Sequence, residues 1–140
     1  MICLSFDLYS LSRSLDDEDA IKYSRKAILF DKSDVNKLVH DPKEKLNHFS
    51  AKAILFMILR GLKHDVVSEA QIVGVGFCDL FDISVRVIYE FETSHCKKVQ
   101  RRINSIYRQT GVEVIVIDVK DLPDDLFQRY LKLKEFIIPD

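Results

Sequence analysis

Paired cysteines are missing from this sequence. Cys3, Cys78 and Cys96 are an odd number with no repeated interval, which argues against a disulfide framework and for a reducing, cytoplasmic setting. They read as small core hydrophobes; Cys78, His95 and Cys96 also lack the Cys-x-x-Cys spacing that would make them a zinc site. No basic stretch precedes an apolar core in the opening MICLSFDLYSLSRSLDDEDA. No later apolar run approaches the roughly 18 residues needed to cross a bilayer, so no membrane partner is expected. Neither sign of charge dominates: 21 Lys and Arg face 22 Asp and Glu, which excludes a wholly basic coat for nucleic acid but leaves room for a local basic patch. A phosphate-cradling glycine loop is also absent, since VGVGF has neither the spacing nor a following helix. Nucleotide hydrolysis is disfavoured on that ground. No internal repeat or low-complexity tract interrupts the chain.

What is present is an ordinary 140-residue globular composition, enough to bury one core in one domain. Residues 2–8 alternate apolar and polar, the pattern of a half-buried strand. The acidic cluster Asp16, Asp17, Glu18 and Asp19 precedes AIKYSRKAILF, where negative charge favours a helix start; residues 27–30 fit either that helix or a short strand. A polar connection containing Pro42 follows. EKLNHFSAKAILFMILRGLKHD is apolar almost all round from residue 53 to 59, as in a helix buried on most faces. Lys45, Lys52, Arg60 and Lys63 fall on one edge of it, shared with Phe56 and Leu59. His48 opens the helix, either within reach of a phosphate or metal site or as a helix-terminal histidine without a catalytic role.

Strand-like runs then occupy VVSEAQIVGVGFCDLFD and ISVRVIYEFET, with a turn expected near residues 82–84. Residues 94–110 have the helical period: Cys96, Val99, Ile103, Ile106 and Tyr107 share one side, and Lys97, Lys98, Arg101, Arg102 and Arg108 the other. Gly111 supplies a C-cap, VEVIVIDV a buried strand of a parallel or mixed sheet, and the tail a final helix with Pro123 near its start and Phe127, Tyr130, Leu131 and Leu133 as packing residues.

Carboxylates are poor strand formers, yet Glu69, Asp79, Glu90 and Glu92 stand among these strands. Glu90 and Glu92 must share one face while Phe91 takes the other. If the second and third strands form a hairpin, Asp79 lies opposite them. Such convergence is repulsive unless a cation intervenes, and oxygen-rich sites suit Mg²⁺ or Mn²⁺. The alternative is that Glu90 and Glu92 form a solvated strand face; Arg86 and Ile88 beside them do not make an ordinary exposed ladder.

Over residues 47–118 this order of helix, three strands, helix and strand resembles the PD-(D/E)XK nuclease superfamily. The resemblance implies an α/β fold with a mixed central sheet flanked by helices, a restriction endonuclease-like core, with an N-terminal extension at residues 1–46 and a C-terminal helix at 119–140. Asp79 in FCDLFD matches the family's Asp and Glu90 in YEFET its Glu, while Glu69 in VVSEAQI matches an upstream acid of many members. The resemblance implies Asp79, Glu90 and Glu69 as metal ligands and Asp79, Glu90 and Glu92 as catalytic residues. Two positions depart from the pattern: Cys78 stands where a Pro precedes the Asp, and Glu92 where a Lys usually stands, an exchange also found in active Glu-x-Glu restriction enzymes. The implied activity is hydrolysis of DNA phosphodiester bonds, structure-selective or weakly sequence-specific, on duplex or branched DNA, by a protein able to form a homodimer. The alternative is an inactive nuclease fold kept for DNA binding or assembly. The acid-free basic helix independently suggests phosphate contacts by Lys97, Lys98, Arg101, Arg102 and Arg108, joined by Lys52.

Overall fold

The apolar run at residues 53–59 is expected to lie in the middle of a helix. In the structure, a computed structural model that describes residues 4–5, 27–93 and 97–137, it forms the middle of helix α1 (Leu46–Gly61). The buried residues of α1, Ala51, Lys52, Leu55, Ile58 and Leu59, follow the spacing of a single stripe. Met57 is 63% exposed, so α1 buries one face and not most of its circumference. Its end is marked by the Leu62 N–H, which reaches the Ile58 and Leu59 carbonyls, and by Lys63 in left-handed backbone at φ 65°.

The stripe packs on a four-stranded sheet of order β3 (Val66–Ser68), β6 (Leu80–Asp82), β7 (Val87–Glu92) and β8 (Glu113–Asp118). β3, β6 and β7 pair antiparallel, and β7 and β8 pair parallel. A parallel pair needs a crossover, here helix α2 (Lys97–Thr110). Gly111 ends α2 at φ 64°, its N–H 2.8 Å from the Tyr107 carbonyl. Residues of β7 are buried on both faces, alternately. Val87, Tyr89 and Phe91 join Leu55 and Leu59 of α1, while Ile88 joins Ile106 of α2. The molecule is thus α/β, with a mixed sheet between α1 and α2.

A second, antiparallel sheet has the order β1 (Leu4–Ser5), β2 (Ile28–Phe30), β4 (Gln71–Ile72) and β5 (Gly76–Phe77). Residues 27–30 therefore contribute a strand, and β2 pairs with β4 from inside the 47–118 region; the remainder of the expected strand at 2–8 and the helix expected before residue 27 lie outside the described residues. Residues 66–82, read above as two plain strands, make a bent ribbon that leaves the first sheet after Ser68, turns at Gly74 (φ 80°), and returns as β6. Pairing continues through the bend: the Glu69 N–H meets the Asp79 carbonyl at 3.3 Å and the Cys78 N–H the Ala70 carbonyl at 2.9 Å. Glu69 and Asp79 accordingly stand at the corner between the sheets and not within strands.

After β8, Asp118 caps a 3-10 turn and Asp125 caps helix α3 (Leu126–Lys134), accepting the Gln128 N–H at 2.9 Å. The helix is shorter than the tail, with Pro123 ahead of it. Of its expected packing residues only Leu133 is buried; Phe127, Tyr130 and Leu131 are exposed among the described residues. Arg129 takes the buried place, donating to the carbonyls of Pro123 and of Asn47 in α1. No described helix is long and apolar enough to cross a membrane.

The single-face packing of α1 yields a direct comparison. Leu55, with no exposed surface, should lose about 2–5 kcal/mol of stability on conversion to alanine. Met57→Ala should change stability by less than about 0.5 kcal/mol. Urea denaturation of the two variants measures the difference.

Candidate metal centre and active site

Glu44, in the bend just before α1, and His48 and Lys52 within it are spaced four residues apart and line up along one face. That face looks onto the ribbon corner. Lys52 donates to Glu44 Oε1 at 2.9 Å and to Glu69 Oε1 at 3.1 Å. His48 bonds Glu44 through Nδ1 and lies 3.4 Å from Asp79 Oδ2 through Nε2. Asp79 Oδ2 also accepts the Phe91 N–H at 2.8 Å, and the Asp79 N–H donates to Glu90 Oε2 at 3.2 Å. Glu90 is ion-paired with Arg102 of α2, whose other nitrogen donates to the Phe77 carbonyl at 2.7 Å. The result is a continuous chain, Glu69, Lys52, Glu44, His48, Asp79, Glu90, Arg102, in which charge alternates except at one junction, Asp79 with Glu90.

The titration of these groups follows from that order. Asp79 beside Nε2 raises His48 to about 9, helped by Glu44 against the cost of burial. Burial pushes Asp79 up, but His48 and the Phe91 N–H together hold it below the usual carboxylate range. Burial and the neighbouring Asp79 charge push Glu90 up to about 8 despite Arg102. Burial likewise raises Glu69, outweighing Lys52. A proton on Glu90 removes the repulsion at the one like-charged junction.

Asp79 and Glu90, predicted to meet, do meet. Asp79 and Glu69 line a cavity of about 700 Å³ together with Glu44 and His48, and Lys43, Lys45 and Lys120 also contribute to its wall. Glu90 is 2% exposed and stands behind Asp79; its face of β7 is the one toward α2. Glu92, half-buried on the same face, is paired in register with Asp118 of β8. Lys97, Lys98, Arg101 and Arg108 are exposed on α2. Arg102 is not available in the same way, because its guanidinium holds Glu90. Lys52 corrects the expectation of a DNA contact: it has no exposed surface, and its ammonium is bound to Glu44 and Glu69. Cys78 is buried in the core and its thiol is pushed up by that burial, while His95 and Cys96 lie outside the described residues.

Glu44 is the site residue that sequence reasoning missed. It falls in what reads as a polar connection, and its signal was the four-residue spacing to His48 and Lys52. One ligand atom from each of Glu44, His48 and Asp79 lies within 4.8 Å of the others. Two carboxylates and an imidazole can hold a divalent cation, although this donor set differs from the expected Asp79, Glu90 and Glu69.

His48 and Glu90 keep a proton in the folded protein after the unfolded chain releases it: His48 from 6.5 to about 9, Glu90 from 4.5 to about 8. Stability from each is full below the lower value and is lost as pH rises through the upper one. Asp79 acts in the opposite sense, its contribution disappearing in acid. The thermal unfolding midpoint should therefore decline from about pH 4.5 to pH 9. His48→Gln should flatten the upper part of that decline and Glu90→Gln the lower part, as measured by calorimetry across the range.

Compared with known proteins, the chain matches no family model, no curated protein and no solved structure.

Proposed function

We propose that the protein hydrolyses phosphodiester bonds in DNA, with Mg²⁺ or Mn²⁺ held at the ribbon corner. The observation that carries this reading is the meeting of Asp79 with Glu90 across β6 and β7, beside a cavity where Glu44, His48 and Glu69 converge with Asp79. The run α1, β3, β6, β7, α2, β8 supports it as well, because it has the helix and strand order of the PD-(D/E)XK nucleases once the β4–β5 hairpin is set aside.

A bound divalent ion would supply Lewis acidity and a lowered pKa for water. The chain's own residues have separate tasks. Asp79 presents an oxygen to the cavity while the Phe91 N–H holds its carboxylate. Glu90 backs Asp79 and, protonated, spares it a second negative charge. Lys52 holds Glu44 and Glu69 in place and brings to the cavity side of the sheet a fixed cation, which position 92 lacks. Lys43, Lys45 and Lys120 at the cavity and Lys97, Lys98 and Arg101 on α2 are exposed cations suited to the phosphate backbone. They offer no base-reading surface, which favours weak sequence specificity, and cutting both strands would engage a second copy.

Two observations favour the rival reading of an inactive DNA-binding module. Glu90 is already engaged by Arg102, and Glu92 replaces the usual lysine. Labelled duplex, branched and single-stranded DNA, and RNA, incubated with each metal, decide between them. Asp79→Asn should lower cleavage by about a hundredfold or more while leaving DNA binding intact; absence of cleavage by the wild type in every metal would establish the binding module. Replacing Lys97, Lys98 and Arg101 with alanine should weaken binding without regard to sequence and reduce the slope of log K against log salt by about 0.9 per lost contact. An unchanged slope would move the interface away from α2.

A further inference from the structure

The geometry points to a divalent-ion centre built from helix α1, with Glu44 and His48 joining Asp79 as ligands, Glu90 excluded, and a transition ion such as Mn²⁺ preferred to Mg²⁺. This deepens the reading above and rests on it for the ion's presence. The three donors come from neighbouring pieces: Glu44 from the bend just before α1, His48 from its first turn, Asp79 from the ribbon corner. One donor atom from each lies within 4.8 Å of the other two. Each carboxylate is oriented by a further group. Lys52, itself wholly buried, holds Glu44 Oε1 at 2.9 Å, and the Phe91 N–H holds Asp79 Oδ2 at 2.8 Å. Supports of this kind fix the direction of ligands and govern affinity.

Glu90 does not meet these requirements. Its oxygens are engaged by Arg102 and by the Asp79 N–H, and it is buried on the α2 side of β7. Recruiting it would break a buried ion pair and leave the guanidinium without its partner. The donor chemistry then sets the ion. Mg²⁺ demands oxygen ligands in octahedral geometry and gives up water reluctantly, whereas an imidazole nitrogen suits first-row transition ions.

Titration of the wild-type protein with Mn²⁺, followed by calorimetry and by electron spin echo detection of nitrogen coupled to the bound ion, tests the centre independently of catalysis. Nitrogen coupling is expected in the wild type and should vanish in His48→Gln. Affinity should fall about tenfold or more in His48→Gln and in Glu44→Gln, remain within about threefold in Glu90→Gln, and be at least about tenfold lower for Mg²⁺ than for Mn²⁺. Bound Mn²⁺ without nitrogen coupling, or affinity lost in Glu90→Gln and kept in His48→Gln, overturns the centre; the wild-type spectrum decides even if a variant fails to fold. DNA cleavage separates the two readings. A protein that cuts with Mg²⁺ but shows no nitrogen coupling is a nuclease without this centre. One that binds Mn²⁺ through His48 and cuts nothing has the centre and another function.

Discussion

The ammonium of Lys52 has no contact with water, and a charge so placed must be paired where it stands. Its partners come from different parts of the chain, Glu44 from the loop before α1 and Glu69 from the bend of the ribbon. Satisfying that one charge therefore fixes the start of α1 against the corner between the two sheets. The position of Glu44 then fixes His48, and the position of His48 fixes the side of Asp79 that faces the cavity. The rest of the site follows from the burial of a single lysine.

Beyond Asp79 the same logic passes to the other face of the sheet. Glu90 belongs to the α2 side by the alternation of β7, and Arg102 is the α2 residue that meets it. Asp79 and Glu90 tolerate contact at the centre of the chain because Glu90, held by Arg102, keeps a proton while Asp79 has the His48 cation beside it. The helices on opposite faces of the sheet are in this way connected through polar groups and not only through the apolar clusters around β7.

Much of this was legible from residue types and periodicity, and what was not has definite physical reasons. The strict alternation of β7 put Glu90 with Glu92 and sent Phe91 to the other face. The apolar and basic arcs of α2 gave its packing side, with Ile106 wholly buried. Glu69 was misplaced because VVSEAQI has the composition of a strand, whereas at Glu69 the backbone is left-handed at φ 58°, a conformation that residue type alone does not announce. Lys52 and Arg102 were read as solvent-facing because lysine and arginine usually are; their burial depends on carboxylates that are close only after folding. On α3 the expected aromatic contacts failed for a related reason, as Arg129 reaches two backbone carbonyls and takes the inner position that hydrophobicity alone would give to Phe127 or Tyr130.

The ribbon of residues 66–82 supplies strands to both sheets. Neither sheet can be completed from its own stretch of chain: β3 waits for β6 across the β4–β5 excursion, and β4 waits for β2 from the N-terminal part. Many of the defining contacts join residues far apart in sequence, so loop-closure entropy is met before most of the native pairing rewards it. The corner carrying Glu69 and Asp79 exists only where the two sheets are joined. The cavity beside it is thus complete only when both sheets have formed and met.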